Sequence, residues 1–168
     1  MNIKELAIKH NDYIIERRRF YHTIPELSHE EFKTTESLVK DLEEMGIEVT
    51  TFPDFTGLIG LIKGGKAGKT VALRADIDAL PVEEKTGLSF ASKNPGKMHA
   101  CGHDAHMSML LGAAKILVDL KSELEGNVKL IFQGAEEIAY GAKYIMEKGY
   151  LDDVDAVFGM HIWGTLDA

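Results

Sequence analysis

Residues 105–120, AHMSMLLGAAKILVDL, followed by residues 127–133, NVKLIFQ, decide the fold class. The first run is long and mostly apolar and reads as a largely buried helix. The second is short and apolar and reads as a strand. Upstream, residues 57–63 (GLIGLIK) and 69–77 (KTVALRADI) read as two strands of a hairpin around GGKAG. Downstream, residues 141–149 look like a helix ending at Gly149, and 155–162 (DAVFGMHI) like another strand. Helices interleaved with apolar strands predict an α/β domain whose sheet is buried on both faces.

The first forty-five residues predict two helices. Leu6, Ile8, Tyr13, Ile14 and Phe20 recur at roughly helical spacing, ending near Pro25. Ser28-His29-Glu30-Glu31 then fits a capping box, with Phe32, Leu38, Leu42 and Met45 continuing the second helix to Gly46. GGKAGKT imitates a phosphate-binding loop but fails as one. Lys63 stands where the first glycine is required, and a strand follows rather than a helix.

At 168 residues the chain has the size of one domain, and 45% hydrophobic residues suffice for a core. A net charge of -8 argues against nucleic acid or an anionic membrane face as partner. No apolar run is long enough to span a bilayer. The charged N-terminus lacks the apolar stretch of a signal peptide, and the single cysteine makes no internal disulfide, so a reducing cytoplasm is the expected location.

Polar residues concentrate where strands end. The run from Val71 ends in Arg74-Ala75-Asp76-Ile77-Asp78, the run from Val128 in Gln133-Gly134-Ala135-Glu136-Glu137, and the run from Val157 at His161. Ligands gather beyond the carboxyl ends of strands in α/β sheets. Between the first two lies MHACGHDAH (98–106), the densest cluster of ligand-type side chains. Cys101 and His103 flank Gly102, a spacing that lets thiolate and imidazole converge on one centre. With Glu137 and His161 they make a mixed S, N, O set suited to Zn²⁺, Mn²⁺, Co²⁺ or Ni²⁺.

Each residue also has a plainer reading. An isolated cysteine is commonly a buried small hydrophobe. Asp104 is a natural N-cap for the helix that follows, and His106 reads as structural or as support for a ligand. His99 fits either role. His10, His22 and His29 read as non-ligands. Glu136-Glu137 differs from a solvated pair because it follows a buried strand, where idle carboxylates are costly.

MHACGHDAH, with LRADIDALP (73–81), PELSHEEFKT (25–34), AEE (135–137) and GMHIW (159–163), resembles the amidohydrolase branch of the aminoacylase/carboxypeptidase metallopeptidases. The similarity runs from about residue 5 to the end. The resemblance implies a three-layer α/β/α zinc-exopeptidase-like domain with a mixed, largely parallel sheet. It implies that residues 1–168 are the N-terminal part of the catalytic domain, without the lid domain through which such enzymes form homodimers.

It further implies two divalent metal ions, with Cys101 bridging and His103, Glu137 and His161 completing the ligands from this chain. Glu136 would be the general base and Asp76 the second active-site carboxylate, orienting metal-bound groups. Arg74 stands where other branches place a metal-binding histidine, a role passing here to His103. The implied activity is hydrolysis of the amide bond of N-acyl amino acids, small-molecule substrates, by a metal-activated water. Gly134 departs from the family's proline, which loosens the turn and keeps both carboxylates. Two other classes stay open: a non-hydrolytic metal-binding relic, and a cysteine hydrolase with Cys101 as nucleophile and His103 as base.

Overall fold

In β4 (Glu125–Gln133), Val128, Leu130 and Phe132 enter one buried cluster and Ile131 the opposite one. A strand that is apolar on both faces is stable only inside a sheet covered on both sides, and β4 takes the central position. The computed structural model of the protein describes residues 2–164. The other elements are α1 (Ile3–Lys9), α2 (Asn11–Thr23), α3 (Phe32–Glu44), β1 (Glu48–Thr51), β2 (Gly57–Lys63), β3 (Lys66–Asp76), α4 (His103–Asp119), α5 (Gly141–Glu147) and β5 (Ala156–Gly159).

The strand order is β1-β2-β4-β3-β5, with β1–β2 and β2–β4 antiparallel and β4–β3 and β3–β5 parallel. One face packs Tyr21 of α2, Leu38 and Leu42 of α3 and Met107, Leu111 and Ala114 of α4 against Leu58, Ile62, Leu130 and Phe132. The other packs Tyr144 and Ile145 of α5 with Phe52 on Ile59, Ala72 and Ile131. This is the α/β/α arrangement with a mixed sheet.

Several local expectations are corrected. β2 and β3 are consecutive but do not pair, because β4 lies between them. Two weakly apolar runs and a glycine turn are enough to suggest a hairpin; burial of β4 overrides that local preference. The turn instead docks on β4, where Gly64 donates to the Gly126 carbonyl at 2.9 Å. A side chain at Gly64 would lie 2.2 Å from that oxygen, which explains the glycine. The first predicted helix is divided at His10 into α1 and α2. The capping box does not form. Glu31 takes the N-cap position of α3 without a side-chain cap, and the Ser28 hydroxyl donates to Asp78 instead. The last strand stops at Gly159, so His161 lies just beyond it rather than within it.

Because β3, β4 and β5 run parallel, their carboxyl ends share one edge of the sheet. The amino end of β2 meets the same edge, with Gly57 opposite Gln133.

Candidate metal centre

Gly102 precedes α4 in the left-handed region at φ +87°, where a glycine carries no steric penalty. It turns the chain so that Cys101 and His103, the first residue of α4, face the same space. Cys101 Sγ lies 3.4 Å from His161 Nε2, bridging sixty positions of sequence. Ligand atoms of Cys101, His103 and His161 all lie within 4.8 Å of one another. The same holds for His103, Glu136 and Glu137, and for Asp76, His103 and His106. His103 belongs to all three groups and is fully buried.

The tautomer of His103 follows from its surroundings. Its Nδ1 sits 2.7 Å from the main-chain carbonyl of Asp78, an oxygen that only accepts, so Nδ1 carries the proton. Nε2 then points toward Glu137 Oε1 at 3.7 Å and Glu136 Oε2 at 3.8 Å. His161 is arranged alike, with Nδ1 donating to the Ile162 carbonyl at 2.5 Å and Nε2 turned to Cys101. Histidines that ligate metals usually tie back their other ring N–H in this way.

Among the described residues, neither His103 Nε2 nor Glu137 Oε1, both buried and facing each other, has a hydrogen-bond partner. Leaving both idle is costly, and a cation between them would satisfy both. The donor set therefore fits a divalent metal. Burial first, and then the charge of Glu137, pushes the Cys101 thiol up to about 11. A bound cation reverses that balance and favours thiolate.

The carboxylates behind the cluster divide their work. Asp76 Oδ1 accepts from His106 Nδ1 at 2.6 Å and lies 3.6 Å from His103 Nε2, while its Oδ2 accepts from Arg74 at 2.8 Å. Asp76 thus contacts His106 most closely, and His106 Nε2 in turn accepts the Ile162 N–H at 2.9 Å beside His161. Asp78 is the carboxylate behind His103, with Oδ1 3.4 Å from Nδ1. Burial disfavours its charged form, but His103, the Glu137 N–H and the Ser28 hydroxyl outweigh that and hold its pKa down at about 2. Asp78, in the Arg74–Asp78 stretch, is a supporting carboxylate that motif reading misses. The signal available was its two-residue spacing from Asp76, which puts both carboxyls on one side of an extended chain.

Asp104 is not an N-cap. Gly102 holds that position, and Asp104 is buried, paired with His22 Nδ1 at 2.6 Å and Arg18 Nε at 3.0 Å. His22 continues to Glu84 at 3.2 Å, tying α2 and the segment after β3 to the first turn of α4. His99 is buried, neither ring nitrogen has a hydrogen-bond partner among the described residues, and burial lowers its pKa to about 4.

Comparison with known proteins agrees with this geometry. The model of peptidase family M20/M25/M40 matches residues 72–168. The chain is 52% identical over 144 residues to the N-acetyl-L-cysteine deacetylase of Bacillus subtilis, covering 86% of this chain and 35% of that protein. It is 42% identical over 166 residues to the N-acyl-L-amino acid amidohydrolase of Geobacillus stearothermophilus, covering 98% and 45%. It superimposes with a TM-score of 0.89 and 47% identity on the crystal structure of a dinuclear metal-binding M20 peptidase of Bacillus subtilis, covering 97% of this chain and 45% of that one. The chain thus spans less than half the length of these relatives. On the strength of the residues 72–168 match and these identities, it belongs to peptidase family M20/M25/M40.

Proposed function

We propose that the intact protein hydrolyses the amide bond of N-acyl amino acids, with Cys101, His103, Glu137 and His161 holding two divalent ions and Glu136 acting as general base. The observation that carries this reading is the convergence of these side chains with His103 Nε2 and Glu137 Oε1 left unpaired at the centre. Bound ions of the Zn²⁺, Mn²⁺, Co²⁺ or Ni²⁺ class would acidify water and polarise the substrate carbonyl. Glu137 faces the cluster, its Oε1 3.7 Å from His103 Nε2. Glu136 is the more exposed of the pair, with 37% of its side chain open against 22%. It has room to take a proton from the attacking water and return it to the leaving amine nitrogen. Asp76 acts through His106, holding the segment that carries His161. The relatives' names support an N-acyl amino acid substrate.

Glu136→Gln should leave metal content near that of the parent and remove turnover of N-acetyl or N-benzoyl amino acids. Loss of metal in that variant would overturn the assignment. A cysteine-nucleophile mechanism is disfavoured, because burial first, and then the neighbouring carboxylates, raise the Cys101 thiol rather than activate it. The alternative is the non-hydrolytic reading, which metal uptake without amino acid release by the intact protein would support. Partners other than the small substrate are proposed only as a second copy, through a lid domain. Among the described residues no helix is long and apolar enough to cross a membrane.

A further inference from the structure

The segment Pro25–Thr34 carries neither a proposed metal ligand nor the proposed base, yet it sends two side chains, half-buried Ser28 and buried Glu31, to the back of the site. Ser28 reaches Asp78 at 2.7 Å. Glu31 is fully buried, and its two oxygens accept from the Ala135 N–H at 2.7 Å and the Thr56 hydroxyl at 2.6 Å. The Glu31 backbone is also fixed. Its carbonyl accepts from Thr35 Oγ1 at 2.6 Å, and that hydroxyl accepts the Gly57 N–H at 2.9 Å. Glu31 is therefore clamped between the start of α3 and the amino end of β2.

Ala135 has φ +51°, a left-handed conformation that costs a non-glycine residue energy and needs outside support. Its carbonyl accepts from Tyr140 and Gly141 at 3.1 and 3.2 Å, and its N–H is taken by Glu31. Glu136 and Glu137 follow directly. Rotation of the peptide before Ala135 would swing both carboxylates away from His103.

We propose that Glu31 is a positioning residue: its grip on the Ala135 N–H holds the left-handed turn that aims Glu136 and Glu137 at His103. The proposal rests on the metal-centre reading above. Glu31→Gln preserves an acceptor for Ala135, because its amide NH₂ can turn to the Thr56 hydroxyl oxygen. Glu31→Leu removes the acceptor, and Glu31→Asp keeps the carboxyl group but shortens the reach by one methylene.

The test measures Zn²⁺ affinity of the chain by competition with a chromogenic chelator, alongside the melting temperature of the metal-free protein. The Leu and Asp variants should bind Zn²⁺ about 10- to 100-fold more weakly, while Glu31→Gln stays within about threefold of the parent. Variants that melt lower but bind Zn²⁺ like the parent would overturn the proposal and leave Glu31 purely structural. Equal losses in Gln and Leu would overturn it too, since the acceptor would not matter. If Glu31→Leu does not fold, Glu31→Asp decides by the same criterion. A parent chain that takes up no Zn²⁺ overturns the metal-centre reading itself.

Discussion

Gly141, the first residue of α5, gives a direct way to move the Glu136–Glu137 turn without touching a proposed ligand. A Cβ added there would lie 1.9 Å from the Gly134 carbonyl oxygen and 2.8 Å from Gln133 Cγ. Real Cβ atoms essentially never approach closer than 3.0 Å, so Gly141→Ala requires the turn and helix to separate by 3.0 − 1.9 = 1.1 Å. The contact is with backbone and cannot be relieved by a rotamer change. Overpacking of this kind costs about 1–3 kcal/mol, which in a domain of this size lowers the melting temperature by roughly 2–12 °C. The turn that must move carries Glu136 and Glu137, and displacement of a ligand should weaken metal binding about 10-fold or more. Calorimetric melting of the metal-free protein and Zn²⁺ titration in competition with a chelator read the two effects separately. A variant that melts and binds Zn²⁺ like the parent would refute the claim that this close approach sets the turn.

Three further outcomes follow from the same geometry. Cys101→Ser should keep the fold and lose Zn²⁺ affinity, and in the parent Co²⁺ should give a thiolate charge-transfer band that this variant lacks. Asp104→Asn should destabilise by about 3–5 kcal/mol, because His22 and Arg18 lose their buried partner; urea unfolding measures it. The same pair predicts a pH dependence. Hydrogen bonding to Asp104 raises the His22 pKa against burial, while burial opposes but His22 and Arg18 lower that of Asp104. The His22 contribution is full below its unfolded value of about 6.5 and is lost as pH rises through the raised folded value. The Asp104 contribution is present above its unfolded value of about 3.9 and is lost as pH falls through the depressed one. The stability difference between the parent and His22→Gln should therefore shrink above neutrality. A difference that stays constant from pH 6 to 9 would show that His22 does not titrate with the fold.

The layer architecture was legible because it rests on periodicity. The 105–120 helix and the 127–133 strand are long or apolar enough that no tertiary contact reverses them. The ligand-type residues were legible for a chemical reason, since cysteine, histidine and glutamate cluster at strand ends where burial without a partner is costly. Strand neighbours were not legible. Local sequence favours pairing of β2 with β3, and only the competition for the most buried position puts β4 between them. The supporting residues were hidden for a related reason. Glu31 and Ala135 stand 104 positions apart, and Ser28 and Asp78 stand 50 apart. Their hydrogen bonds leave no local pattern, and at Ser28 the local pattern pointed to a helix cap instead.

By itself, then, the sequence determined which side chains could bind metal and which segments could be helix or strand, because residue chemistry and hydrophobic period are properties of the chain. Tertiary structure alone decided which carboxylate backs which imidazole: Asp78 behind His103, Asp76 behind His106, and Glu31 beneath the Glu136–Glu137 turn. Those pairings depend on how parallel strands and a helix terminus meet at one edge of the sheet, and distance in space there bears no relation to distance along the chain.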